Sequence, residues 1–386
     1  MKKILVINTS YRIYGGEDSN ILDEIALLKK KYEVEYLQFK NSDKIKLLEL
    51  ISFLTNQNKL SNRLLINKLN AFNPDVVYVH NTWFKGNLGI FKILEKQNIP
   101  VLHKIHNFRY FCTNSFFASS HFANVKICYK CGSEKKRFFI FNKYYKDSFS
   151  RSLLMIIYGK KYFKILLSNR MKLLIMNEFH KNFLVNLGIK EERIAIYYNP
   201  ITIESKSYME YNSKNNTVVY AGRLTKDKGL IELLKTWREA NTKNLELLLL
   251  GSGDLEQELR EKYVDKNIKF LGPVSNKEAR RIIKNSRAVV TATRLLEGQP
   301  RLLSEASSYG IPSIFPSFGG MSEYFPENYE LTFKQFDYTD LKRKIEKLND
   351  IKLMEKLSKE VHLKAFETLS DHILVDSFEN LINSNE

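Results

Sequence analysis

Two glutamates, Glu297 and Glu305, stand with seven residues between them inside RAVVTATRLLEGQPRLLSEASSYGIPSIFP (287–316). The apolar run at Arg287–Thr293 reads as a buried strand and Arg301–Tyr309 as a helix, with Pro300 near its start and Gly310 where a left-handed cap is wanted. Glu297 then lies in a strand-to-helix loop, where a carboxylate can bond sugar hydroxyls. Glu305 lies a turn or so into the helix, where a carboxylate can bond a ribose, and the helix N-terminus between them favours phosphate. An acidic pair on an ordinary strand–loop–helix unit would read the same way, so the neighbouring motifs decide. AGRLTKDKGL (221–230) supplies Arg223 and Lys228 after another strand. Two cations at a strand end can neutralise the charge growing on a nucleoside diphosphate leaving group, Arg223 bidentately. His80-Asn81 and His106-Asn107 each close an apolar run, which makes both histidines candidate polar contacts or hydrogen-bonded structural residues. Cys112, Cys128 and Cys131 include a CxxC and could be three of four zinc ligands, with His121 or His106 as the fourth. Reduced, metal-free thiols are the alternative.

The elements that position these groups alternate throughout. Strands are expected at Lys2–Asn8, Glu33–Gln38, Val76–His80, Val101–His106, Lys172–Met176 and Arg193–Tyr198, with helices between them at Glu17–Lys31, Asp43–Asn70, Gly89–Gln97 and Glu178–Leu187. Gly15-Gly16 fall between the first strand and first helix, where backbone N–H groups can approach a phosphate or sugar. The alternation restarts at Thr217 after a polar stretch, 201–216, that reads as a linker. Gly222, Gly251 and Gly272 close successive strands of this second half. The fold class is α/β, with two doubly wound parallel sheets.

Charge separates the halves. Residues 1–200 hold 33 Lys and Arg against 15 Asp and Glu, whereas the remainder balance, so the whole excess of +18 belongs to the first half. It concentrates in Lys126–Lys172, and Glu134–Leu167 interleaves Lys and Arg with Phe, Tyr, Leu and Ile. Basic groups attract anionic head groups while aromatic rings settle at the interface, so peripheral membrane contact is expected there, against a core helix with a solvated basic face. No nucleic-acid recognition motif accompanies the charge. Met-Lys-Lys opens the chain, but the apolar run Ile4–Ile7 is too short for a signal peptide, and none approaches the roughly 18 residues of a membrane span. The expected location is cytoplasmic, peripheral on the inner membrane face.

With those residues in view, E-x7-E inside EGQP…EA…GIP resembles the signature of family-four retaining glycosyltransferases. AGRLTKDKGL resembles that family's donor-phosphate segment, HNFRYFC its His-Asn segment, and MNEFHKNFLVNLG to NPI its first-domain end. The likeness extends over most of the chain, which resembles bacterial capsular and extracellular polysaccharide glycosyltransferases. It implies the GT-B fold: two Rossmann-like domains facing across a cleft, 1–200 for the acceptor and 201–370 for the nucleotide sugar, with 371–386 crossing back onto the first. It also implies transfer from a UDP-sugar to a lipid-linked saccharide, with retention and no essential metal. Arg223 and Lys228 would stabilise the leaving diphosphate, Glu297 would hold donor-sugar hydroxyls, Glu305 the ribose, and His106 the transferred sugar. Gly15 and Gly16 would meet phosphate, and Gly222, Gly251, Gly298, Gln299 and Pro300 would border the donor. Gln299 and Ser322 depart from the family, which carries an apolar or aromatic residue and Pro there; Gln299 could alter donor preference. A non-catalytic sugar-nucleotide binder and a nucleotide-sugar epimerase are the competing expectations.

Overall fold

The structure, a computed structural model, describes residues 1–10, 16–41, 47–108, 128, 143, 148–201, 203, 211 and 215–383. The chain forms two compact units, Met1–Pro200 with Asp371–Glu386 and Ile201–Ser370. In the first, strands β1 (Lys3–Ser10), β2 (Glu33–Lys40), β3 (Val76–Val79), β4 (Val101–Lys104), β5 (Lys172–Ile175) and β6 (Ile194–Ile196) form one sheet in the order β2-β1-β3-β4-β5-β6. Every neighbouring pair is parallel. Helices on both faces leave no solvated side, which is why Ile4–Ile7 and Val76–Val79 are apolar without alternation and buried throughout. The order reverses between β1 and β3, so the chain ends leaving those strands diverge and open a crevice.

The second unit repeats the plan with β7 (Thr217–Ala221), β8 (Glu246–Leu250), β9 (Ile268–Gly272), β10 (Ala288–Val290), β11 (Ser313–Pro316) and β12 (Thr332–Phe333), in the order β12-β11-β10-β7-β8-β9 and again all parallel. Its switch point falls between β7 and β10. Those are the strands that precede Arg223 and Lys228 on one side and Glu297 on the other.

Two elements differ from their sequence reading. The stretch Asp43–Asn70, expected as one helix, contains α2 (Leu47–Thr55) and α3 (Lys59–Phe72), the second and third helices after α1 (Gly16–Leu28). Asn56 takes a left-handed φ of 56° and the Asn58 side chain accepts from the Ser61 N–H at 3.1 Å, so a fresh N-cap outcompetes continuation. The strand expected at Arg287–Thr293 is regular only over Ala288–Val290, and Thr293, beyond its end, donates to Glu297.

The last helix, Asp371–Asn383, completes the first unit's core. Leu374, Phe378, Leu381 and Ile382 pack with Ile4, Val6, Ile25, Tyr32, Tyr78 and Tyr197. The Phe378 ring lies 6.0 Å from Tyr32 and 5.4 Å from both Tyr78 and Tyr197. Lys31 donates to Glu379 at 2.7 Å and Lys30 pairs with Asp371 at its rim. Beneath the same cluster, the fully buried Lys104 ammonium donates to Glu24 at 3.1 and 3.3 Å, and the Tyr78 hydroxyl donates to Glu24 at 2.6 Å.

Candidate functional site

In the second unit, three strand-end loops are laced by backbone bonds. Gly222 N–H donates to Leu250 O at 2.9 Å, Leu224 N–H to Ser252 O at 2.9 Å, and Gly251 N–H to Gly272 O at 2.8 Å. The approach is close enough that a Cβ on Gly251 would lie 2.0 Å from Gly222 O. The loop after β10 is drawn in the same way: Arg294 N–H donates to Asp227 O at 2.9 Å, and Gly229, at φ +67°, sits against Ala292 O. Only glycine fits there.

This lacing puts Lys228 beside Glu297. The ammonium donates to Glu297 Oε1 at 2.5 Å, and Thr293 Oγ1 donates to the same oxygen at 3.3 Å. Both partners of the pair are about one-fifth exposed, 20% and 23%, so the pair is reachable by a ligand. Arg223, with its side chain 61% exposed, makes only a loose 3.8 Å pair with Asp227, which leaves its fork able to swing onto an anion. Arg294 pairs with Glu232 and pins the loop from behind. Glu305, on the helix Arg301–Ser308, accepts from Arg280 at 3.2 Å and from Arg301 at 2.9 Å. Gly298 and Gln299 are buried, the Gln299 amide donating to Ser304 Oγ at 3.3 Å, and Pro300 caps the helix start while Gly310 takes φ +68° after its end. Thr293, Asp227, Arg280, Arg294 and Arg301 were not singled out from the sequence. The i to i+4 spacings of Thr293 with Glu297, Arg223 with Asp227 and Arg301 with Glu305 could have signalled those pairs, whereas Arg280 and Arg294 reach Glu305 and Glu232 only through the packing of distant elements.

In the first unit, the ends of β3 and β4 bring His80 and His106 together, with 2.9 Å between His80 Nδ1 and His106 Nε2. Asn81 ties this loop to β1, its Nδ2 donating to Thr9 O at 2.7 Å. A cavity of about 20 Å³ lies here, bordered by Glu17, His80, Thr82, His106, Tyr158 and Tyr162 among others. Burial, and then the Lys104 charge, hold the His106 ring well below the usual imidazole range; for His80, burial leads, then His106 and Lys104. Both rings are therefore neutral near pH 7. His103 accompanies them with its Nδ1–H donating to Val79 O at 2.9 Å and its Nε2 accepting from Tyr162 at 2.6 Å. Gly16 begins α1; Gly15 lies outside the described residues. Cys128 is buried, while Cys112, Cys131 and His121 lie outside the described residues, as does most of the basic stretch 126–147. Among the described residues no group of three or more His, Cys, Asp or Glu side chains could hold a metal ion, and no helix is long and apolar enough to cross a membrane.

Residues 204–363, within the second unit, match the family described as glycosyl transferases group 1. Over 151 residues the chain is 26% identical to the amylovoran biosynthesis glycosyltransferase AmsD of Erwinia amylovora; the match spans 37% of this chain and 42% of that protein. Among solved structures, sucrose-phosphate synthase from Thermosynechococcus elongatus superposes with a TM-score of 0.73 at 13% identity, over 100% of this chain and 99% of that one. Anabaena HepE in complex with UDP-glucose gives 0.68 at 13%, and the lipopolysaccharide outer core galactosyltransferase WaaB, apo form, 0.63 at 18%, each over 100% of both chains. At these identities the likeness establishes the fold, two Rossmann-like α/β domains of the GT-B kind.

Proposed function

We propose that this chain is a retaining glycosyltransferase that moves a sugar from a UDP-sugar to a lipid-linked saccharide in bacterial surface polysaccharide synthesis. The observation that carries the reading is the Lys228–Glu297 pair at the β7/β10 switch point, with Arg223 loose beside it. A cation and a carboxylate 2.5 Å apart offer adjacent recognition of a phosphate and of a sugar hydroxyl, which is what one end of a nucleotide sugar presents. Solved relatives include HepE with UDP-glucose and the galactosyltransferase WaaB, and AmsD is named for a polysaccharide, which supports the donor class and the product class.

The chemistry then needs few groups. As the bond from the anomeric carbon to the diphosphate oxygen breaks, Lys228 and Arg223 take up the charge growing on the diphosphate. Glu297 holds donor hydroxyls and Glu305 the ribose, its two arginines keeping the carboxylate in place. The Gly16 N–H, at the start of α1, faces phosphate, and His106 meets the transferred sugar. The acceptor oxygen attacks from the face the diphosphate leaves, its proton passes to a diphosphate oxygen, and UDP departs; configuration is retained. Charge neutralisation comes from Arg223 and Lys228, so no metal is required in this scheme. The basic first unit meets the anionic surface that carries the acceptor, with Leu153 and Leu167 exposed on the helix Phe149–Ser168.

The experiment is UDP and GDP release from a sugar-nucleotide panel with a membrane-lipid extract, comparing wild type with Lys228→Ala. Removing one charge-stabilising donor lowers kcat about 10²–10³-fold, while the part-exposed pair costs at most about 1 kcal/mol of stability. Wild type that binds a sugar nucleotide but releases no diphosphate would refute transfer.

A further inference from the structure

His80 and His106 are coupled in a way the transfer scheme does not use. Their centroids are 5.2 Å apart and their planes inclined by 21°. That separation is the 2.9 Å between nitrogens plus one ring radius on each side, so the rings meet edge to edge along a hydrogen bond rather than face to face. Two neutral imidazoles joined in this way have two states. Either His80 donates from Nδ1 and His106 carries its own proton on Nδ1, or His106 donates from Nε2 and the His80 proton sits on its Nε2. The two tautomers cannot be chosen independently.

The far side of His80 decides between them. The residue is 2% exposed, and its Nε2 is buried with no hydrogen-bond partner among the described residues. In the second state that atom is an N–H sealed away from any acceptor, and orphaned buried N–H groups are the rarest of unsatisfied groups. In the first state the proton is used in the bond and only a lone pair is left unmatched. Lys104 lines the same cavity, and its buried ammonium disfavours a second proton on either ring. The preference is on the order of tenfold.

We propose that His80 is a positioning residue that fixes His106 as its Nδ1–H tautomer, so that His106 presents a donor, never an acceptor, to an oxygen of the bound sugar. The proposal deepens the transfer reading and rests on it for the identity of the ligand; the tautomer itself does not. His106 is only half-buried, and Nε2 is occupied by His80, so Nδ1 is the ring's remaining polar atom for a ligand. A fixed donor discriminates by requiring a lone pair at one place on the sugar, a demand that a freely switching imidazole would not make.

The test is long-range proton–nitrogen NMR of the full chain labelled at histidine, for wild type, His80→Phe and His80→Asn. Wild-type His106 shows the neutral Nδ1–H pattern. The phenylalanine variant removes the donor, and His106 becomes a mixture with substantial Nε2–H. The asparagine amide places an N–H where Nδ1 stood and restores the wild-type pattern. In binding assays the phenylalanine variant weakens the UDP-sugar about tenfold and UDP itself not at all, because UDP lacks the transferred sugar; asparagine recovers the UDP-sugar to within about threefold. A wild-type His106 protonated on Nε2, or a tautomer that ignores His80→Phe, overturns the proposal. Wild type with the expected tautomer but no affinity for any sugar nucleotide would instead overturn the transfer reading and leave the pair intact.

Discussion

Gly229 is where the Lys228 loop touches the Glu297 loop, and its replacement by alanine separates two effects that glycines usually confound. A Cβ there would stand 2.0 Å from Ala292 O and 2.9 Å from its carbonyl carbon, both backbone atoms that cannot rotate away. The backbone is also left-handed, at φ +67°. Gly272, in the same unit, has nearly the same φ, +73°, but its nearest neighbour would be the flexible Arg260 Nη2 at 3.7 Å, an ordinary contact. Gly272→Ala therefore measures left-handed strain alone, about 1–2 kcal/mol. Gly229→Ala adds overpacking that only a loop shift can relieve, for a total of about 2–5 kcal/mol. For a unit of this size the melting temperature falls roughly 2–4 °C per kcal/mol, so the two variants differ by several degrees in calorimetry. The functional effect is larger, because the shift pulls Lys228 from Glu297: UDP affinity drops at least about tenfold in Gly229→Ala and stays within about twofold in Gly272→Ala. Equal melting temperatures and equal UDP affinities in the two variants would refute the claim that this contact sets the site.

The buried Lys104–Glu24 pair predicts that Lys104→Met costs about 3–5 kcal/mol in urea unfolding, because Glu24 loses its partner, whereas Glu24→Gln with Lys104→Met recovers most of it; a loss in the single variant below about 1 kcal/mol would contradict this. Burial holds the His103 imidazole down at about 4 against an unfolded value near 6.5, so the unfolded chain binds the extra proton between those values. Stability is accordingly complete above about pH 6.5 and falls as the pH drops towards 4, on the order of 3 kcal/mol from this residue, and His180, held at about 3, steepens the same limb. His103→Asn flattens the profile between pH 4 and 6.5; an unchanged slope would show that other groups carry it.

Sequence reading reached what is local or periodic. The strand–helix alternation, the left-handed cap at Gly310 and the placement of Glu297 in a loop and Glu305 on a helix follow from apolar runs and turn residues within a few positions. The break at Asn56–Asn58 was also local but was overruled by the continuous apolar pattern around it, which hid a competing N-cap. What the sequence withheld are meetings across the sheet. Glu24 and Lys104 are 80 residues apart and join only because the helix Gly16–Leu28 packs against the sheet that contains β4. His80 and His106 follow adjacent parallel strands, but the register sets His80 level with Lys104, so their meeting depends on the path of the chain beyond the end of β4. Arg280 reaches Glu305 from a neighbouring helix by the same kind of accident of packing, with no spacing to announce it.

The helix Asp371–Asn383 has a consequence for how this protein is made. Phe378 and Leu374 belong to the cluster that covers Ile4, Val6 and Tyr78, yet a ribosome must deliver the whole of Ile201–Ser370 before they emerge. At roughly 5–20 residues per second the first unit waits about ten to thirty seconds with one side of its core open to water. During that interval the second unit, contiguous in sequence, has every strand it needs. The half that is translated first is thus the half that finishes last, and a nascent chain paused near residue 370 exposes an apolar face that a chaperone can hold until the final helix arrives.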